Sequence, residues 1–261
     1  MPNFAANITM MFNEVDFLSR FELAAEAGFK GVEYLVPYEF EADDISGQLK
    51  NYGLKQVLFD LPVGDWGAGE RGYACHPTRV DEFKAGVETA IKYAHATECI
   101  QLCCLAGKTP ANVNEKEIRS TLVSNLSYAS ERLKQEGIRL LLEPINSKVD
   151  IPGFYLETSS QALDIIQEVN SSNLFLQYDV YHMQIMEGDL ARTLERCLAQ
   201  IKHVQIADHP GRHEPGTGVI IYQFLFDHLD KIGYQDWVGC EYRPVEGTVP
   251  GLTWAKAYLK G

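Results

Sequence analysis

Four apolar runs in the second half of the chain each finish on a residue able to hold a proton or a cation. RLLLE ends on Glu143, LFLQYD on Asp179, KHVQ on Gln205 and WVGCE on Glu241. Any one of them could mark only the point where a strand meets solvent, but four in succession are harder to dismiss. Three carboxylates gathered at one place repel one another, and each is costly to desolvate alone. A bound divalent cation resolves that conflict. A set made only of oxygen donors (Glu143, Asp179, Gln205 and Glu241) suits Mg²⁺ or Mn²⁺ better than zinc, which usually takes histidine or cysteine.

Further polar groups follow the same runs. His182 stands three residues beyond Asp179, in the turn or first helical position after its strand, or else as a surface or capping histidine. ADHPGRHEPGTG, after Gln205, is a long Gly/Pro loop whose His209, Arg212 and His213 could receive an anionic substrate or could simply be solvated. LPVGDWGAGERGYACHP is longer than connecting loops usually are, and it reads as a lid in which Trp66 gives apolar cover and Glu70 and Arg71 meet the substrate. Glu33 reads equally as a support for the site or as a satisfied structural carboxylate. Cys240 should point away from the site if Glu241 points into it, because neighbouring strand residues alternate faces.

The elements that must position these groups alternate from end to end. Candidate strands run over Phe4 to Asn7, Val32 to Leu35, Gln56 to Asp60, Ile100 to Leu105, Arg139 to Glu143, Leu174 to Asp179, Ile201 to Gln205 and Trp237 to Glu241. Between them lie stripes at helical spacing, such as Val80, Phe83, Val87, Ile91 and Ala94, or Ile118, Leu122, Leu126, Ala129 and Leu133. Gly28, Gly53, Gly137 and Gly233 stand just before strands and read as helix caps, not as phosphate binders. The repeat averages about 33 residues, the size of one βα unit. Eight such units close a barrel, and active residues then project from the carboxyl ends of its strands. A doubly wound open sheet is the alternative, but the GxGxxG and GxxxxGK[ST] loops it often carries are absent from the sequence. The expectation is a single (β/α)8 TIM barrel domain over residues 1–261.

Composition sets the outer bounds. The 261 residues are 46% apolar and 23% charged, which allows a sizeable core. The formal charge of −13 repels nucleic-acid backbones and anionic lipid, so neither is expected as a partner; the expected partner is a small molecule. A homo-oligomer is allowed but not required. No apolar run of membrane-spanning length and no signal peptide is evident. Six cysteines without a CxxC pair read as buried reduced thiols of a cytoplasmic protein.

LLLEPIN with DIPGF, LQYDVYHMQIMEGDL, HVQIADHPGRHEPGTG, WVGCEYRP and GDWGAGERG together resemble the hydroxypyruvate isomerases of the xylose-isomerase-like barrel superfamily. The resemblance begins at FAANITMMF and runs essentially end to end, more closely than to ketose 3-epimerases or barrel endonucleases. It implies a cytoplasmic intramolecular oxidoreductase that interconverts hydroxypyruvate and 2-hydroxy-3-oxopropanoate (tartronate semialdehyde) through an enediolate. By matching motif, Glu143 and Glu241 resemble the family's proton donor and acceptor. Asp179 and Gln205 match the remaining metal positions, and His182 and Arg212 match positions that touch substrate oxygens. The chain departs from the pattern at Phe59 and Asp60, where a polar pair is expected, and at Val219 and Ile221, where acidic and polar residues are expected. Three other readings stay open: a 2-oxo-tetronate isomerase, a ketose 3-epimerase, and a sugar-acid binding protein without turnover.

Overall fold

A computed structural model describes residues 2–259. Eight parallel strands close into one barrel in sequence order: β1 (Asn3–Asn7), β2 (Gly31–Glu33), β3 (Lys55–Asp60), β4 (Gln101–Cys104), β5 (Arg139–Leu142), β6 (Leu174–Asp179), β7 (Ile201–Ile206) and β8 (Trp237–Cys240). The expected strands and the observed ones agree to within one or two residues at their ends. Strand β1 pairs with both β2 and β8, and this closes the ring.

The helices are α1 (Arg20–Glu26), α2 (Ala42–Tyr52), α3 (Val80–Thr97), α4 (Glu115–Gln135), α5 (Ser159–Val169), α6 (Val180–Met186), α7 (Leu190–Cys197), α8 (Tyr222–Ile232) and a short α9 (Thr248–Gly251). The apolar stripes pack inward: Phe83, Val87, Ile91 and Ala94 of α3 and Ile118, Leu122, Leu126, Ala129 and Leu133 of α4 are all buried. Leu140, Leu141 and Leu142 of β5 are fully buried in succession, as a strand covered on both faces requires. Gly53 and Gly233 end α2 and α8 in the left-handed conformation, at φ 62° and 84°, where a side chain would be strained.

Loop lengths separate the two barrel faces. Helix-to-strand connections are short, for example residues 53–54, 98–100 and 136–138. The strand-to-helix connections 61–76, 105–114, 143–158 and 207–221 are long and gather over the carboxyl ends of the strands. The loop after β7 is tied down by one side chain. The carboxyl of buried Asp208 accepts from the backbone N–H groups of His209, Gly216, Gly218 and Ile220 at 2.9–3.1 Å. Among the described residues no helix is long and apolar enough to cross a membrane. All six cysteines are buried and unpaired.

Candidate active site

Glu143, Asp179 and Glu241 leave the carboxyl ends of β5, β6 and β8 and are at most 5% exposed. Asp179 also starts α6: its Oδ1 accepts the backbone N–H of His182 at 3.0 Å, a side-chain N-cap. The D-V-Y-H spacing also brings His182 Nε2 to 3.8 Å from Asp179 Oδ2. On β8, Gly239 backs onto the Glu33 carboxyl within the barrel, so alternation sends Glu241 to the same interior and turns Cys240 into the surrounding core, as expected from the sequence.

Glu143, His182, Arg212 and Glu241 line one cavity of about 150 Å³, together with Asp60, Arg71, Asp150, Arg243, Trp66 and Ile145. A roomier hollow of about 400 Å³ near Lys30, Lys50 and Lys55 opens at the opposite end of the barrel, beside the helix-to-strand turns, and gathers no comparable set of acids.

Arg212 is the charge that holds this cavity together. Its Nη1 donates to Asp150 Oδ1 at 3.2 Å and its Nη2 to Glu241 Oε2 at 3.0 Å. Burial works against its charge, yet Glu241, Asp179 and Asp150 raise its pKa above the ordinary arginine value. One cation does not balance the acids around it. Burial pushes the Glu143 carboxyl well above the usual range, and Glu241 pushes it further. Burial also raises Asp179 and Glu241, with Arg212 opposing the shift in both. Asp60 is raised well above its usual value by burial and then by Glu241. His182 is driven well below the usual imidazole range by burial and by Arg212, so it is a neutral ring near neutral pH.

This donor set fits a cation. One ligand atom each from Glu143, Asp179 and His182 lies within 4.8 Å of the others, so the three could hold a metal ion. Asp179 Oδ2 is buried without a hydrogen-bond partner among the described residues, as a ligating oxygen awaiting its ion would be. Gln205 is paired in register with Asp179, but its amide is engaged: Nε2 donates to Glu33 Oε1 at 2.8 Å and Oε1 accepts from Gln177 Nε2 at 2.7 Å. Glu33 serves as the support beneath it, also lying 2.6 Å from His203 Nε2 and accepting from Asn7 Nδ2 at 3.0 Å.

The lid residues divide. Arg71 lines the cavity with its guanidinium 3.7 Å over the Trp66 ring. Glu70 lies outside the cavity lining, because Arg79 takes its Oε1 at 2.6 Å and the Asp65 N–H its Oε2 at 2.7 Å. Val219 and Ile221, where the family pattern expects polar groups, are 65% and 74% exposed and do not line the cavity. Phe59 is buried in the core, whereas Asp60 lines the cavity.

Sequence reasoning missed Asn146 and Asp150 in INSKVD, and Arg243 two residues beyond Glu241. Arg243 could have been found by parity along the chain. Asn146 and Asp150 carried no signal, because nothing in a Ser/Lys-containing loop says that it folds back onto His182 and Arg212.

Comparison with known proteins gives a consistent picture. Residues 21–258 match the family model described as xylose isomerase-like TIM barrel. The chain is 49% identical to hydroxypyruvate isomerase of Escherichia coli over 258 residues, covering 99% of this chain and all of that protein. It is 44% identical to 2-oxo-tetronate isomerase of Cupriavidus necator, covering 99% of both. Among solved structures, one titled AP endonuclease, family 2 from Brucella melitensis superposes with a TM-score of 0.96 at 46% identity over 99% of both chains.

Proposed function

The chain belongs to the xylose isomerase-like TIM barrel family, and from that premise we propose that it is an isomerase interconverting hydroxypyruvate and 2-hydroxy-3-oxopropanoate. One observation carries the reading: Glu143 and Glu241, from strands three apart around the barrel, line a single cavity with His182 and Arg212. The size supports it too, since about 150 Å³ is some five times the ~30 Å³ that a water occupies in the liquid, the scale of a three- or four-carbon acid.

The reaction moves a carbonyl to the neighbouring carbon. A proton leaves the hydroxymethyl carbon, a proton arrives at the former carbonyl carbon, and the hydroxyl proton passes from one oxygen to the other. One of Glu143 and Glu241 takes the C–H proton and the other returns one. Their raised pKa values bring each carboxyl nearer to the point where it can both accept and give a proton. His182, neutral, donates to the oxygen on which negative charge collects, as a fixed dipole needing no reorganisation. Arg71 and Arg243, which have no carboxylate partner among the described residues, receive the substrate carboxylate. Arg212 orients Glu241, and Trp66 with Arg71 closes the space to water.

Glu143 and Asp179, whose ligand atoms lie close together, would hold Mg²⁺ or Mn²⁺, with Glu241 of the same cavity as a third carboxylate; Gln205 Oε1, which accepts one bond from Gln177, keeps a second lone pair for the ion. When bound, the cation would polarise the carbonyl and the adjacent hydroxyl and lower the cost of charge there. We place the protein in the cytoplasm, as one domain, with a small-molecule partner; six unpaired buried thiols support a reducing compartment.

Incubation with hydroxypyruvate in D₂O, followed by NMR with and without chelator, tests the reading. The expected result is the aldehyde product with deuterium at carbon. No product under either condition would overturn it. The 2-oxo-tetronate isomerase similarity favours a four-carbon 2-oxo acid as the second reading, which the same assay decides by comparing kcat/KM for the two acids side by side.

A further inference from the structure

Asn146 makes four hydrogen bonds, and together they leave it one orientation. Its Oδ1 accepts the backbone N–H groups of Val149 and Asp150, both at 3.0 Å. Its Nδ2 donates to Asp150 Oδ2 at 2.7 Å and to His182 Nδ1 at 2.6 Å. Flipping the amide would set its NH₂ against two N–H donors and its oxygen against a carboxyl, so the orientation follows from the network. A ring nitrogen that accepts a hydrogen bond carries no proton. In a neutral imidazole the proton must then sit on Nε2. There it faces Asp179 Oδ2 at 3.8 Å, an acceptor with no other partner among the described residues. The competing contact, Arg212 Nη2 to His182 Nε2, is 3.5 Å long and much weaker than the 2.6 Å bond on the other side of the ring.

We propose that Asn146 is a positioning residue that fixes His182 as its Nε2–H tautomer, so that the ring is a hydrogen-bond donor into the cavity and not a metal ligand. The inference rests on the isomerase reading for its catalytic consequence, but not for the tautomer itself. With Nδ1 occupied and Nε2 protonated, neither nitrogen offers a lone pair to a cation. The cation then falls to the carboxylates, and His182 is kept for the substrate oxygen. Asp150 extends the device. It accepts from Asn146, from Tyr181 Oη at 3.0 Å and from Arg212 Nη1 at 3.2 Å, so one loop sets both the histidine tautomer and the arginine that orients Glu241.

Long-range ¹H–¹⁵N correlation NMR on the Mg²⁺-supplemented protein, labelled with ¹⁵N-histidine, reads the tautomer directly. His182→Asn identifies which of the seven histidine spin systems is His182. The expected spectrum has an unprotonated Nδ1 and a protonated Nε2. Asn146→Asp places an acceptor against Nδ1 and should put a proton there; Asn146→Ala should give a mixture of tautomers. In Asn146→Asp, kcat should fall by roughly 10²-fold with KM little changed, as when one donor to a developing oxyanion is lost. A wild-type spectrum with the proton on Nδ1 overturns the proposal, whether or not either variant folds. Variants whose His182 signals match wild type overturn it as well. If wild type shows the expected spectrum but does not isomerise hydroxypyruvate, the functional reading fails and the tautomer assignment stands.

Discussion

Arg212 Nη2 lies 3.0 Å from Glu241 Oε2 while Nη1 of the same guanidinium reaches Asp150, so a single cation bridges two carboxyls. It does so from a left-handed backbone position, φ 58°, which a residue with a side chain adopts only when its surroundings hold it there. A lysine has one compact ammonium and cannot make both contacts with the same geometry. Arg212→Lys should therefore lower kcat/KM by roughly 10²-fold, within the range of about 2–5 kcal/mol for breaking a buried charge pair. Steady-state kinetics on the folded variant decide it, and activity within twofold of wild type would show that the bridge is dispensable.

The two glutamates can be separated from their shape. Glu143→Gln and Glu241→Gln keep the volume and remove the exchangeable carboxyl proton. Each should reduce turnover by roughly 10²–10³-fold, the usual scale for losing an acid–base or electrostatic group. Single-turnover reactions in D₂O should lose deuterium incorporation in step with turnover. A variant that still exchanges the substrate proton at the wild-type rate is not missing its base.

Asp179 is where a cation and the fold can be told apart. Mg²⁺ or Mn²⁺ that binds only the folded chain should raise the thermal midpoint, by about 2.7 kcal/mol of stability at a hundredfold excess over Kd. Asp179→Asn retains the Oδ1 that caps α6 and replaces the orphaned Oδ2, so it should fold yet lose most of that gain. Thermal scans with and without the ion, on both proteins, give the comparison. An equal gain in the variant would place the ion elsewhere.

The barrel was legible because its signals are local. Eight β-type runs at regular spacing, stripes at helical period and glycines at helix ends each arise within one unit, and β6 falls on the expected residues, Leu174–Asp179, at both ends. The strand-end acids were legible for the same reason, since parity along a strand tells which side chains share a face. What the sequence did not reveal depends on loops folding back. Asn146 meets His182 across 36 residues of chain, and Glu70 is drawn away from the cavity by Arg79, 9 residues further along. Gln205 was found as a strand-end residue, but its hydrogen bonds to Gln177 and Glu33 run around the barrel, and only closure of the ring brings them together.

Gly239 is confined by Glu33. A Cβ there would sit 2.3 Å from both carboxyl oxygens, and backbone pairing of Gly239 with Ala5 and Gln205 prevents the strand from yielding. Glu33 cannot retreat without leaving His203, Gln205 and Asn7 unpaired in the interior. Gly239→Ala should cost about 3–5 kcal/mol, the scale of breaking a buried pair. Urea unfolding measures this directly, and a loss below about 1 kcal/mol would mean that the interior rearranges far more freely than close packing permits.

Asp208 controls Arg212 from beneath. Its Oδ1 satisfies the N–H groups of His209 and Ile220 and its Oδ2 those of Gly216 and Gly218, while its backbone oxygen accepts from Arg212 N at 3.0 Å. Asp208→Asn keeps the size of the side chain but turns one of those oxygens into a donor facing two donors. Each buried N–H left unpaired costs about 1–3 kcal/mol, and the loop can escape that cost only by opening. Opening releases the turn that carries Arg212. The variant should therefore lose activity out of proportion to its loss of global stability, and trypsin should cut the exposed 209–218 loop while the barrel remains folded. If proteolysis is unchanged and kcat/KM falls only as far as the folded fraction does, Asp208 acts on the fold alone and Arg212 is held by its own partners, Glu241 and Asp150.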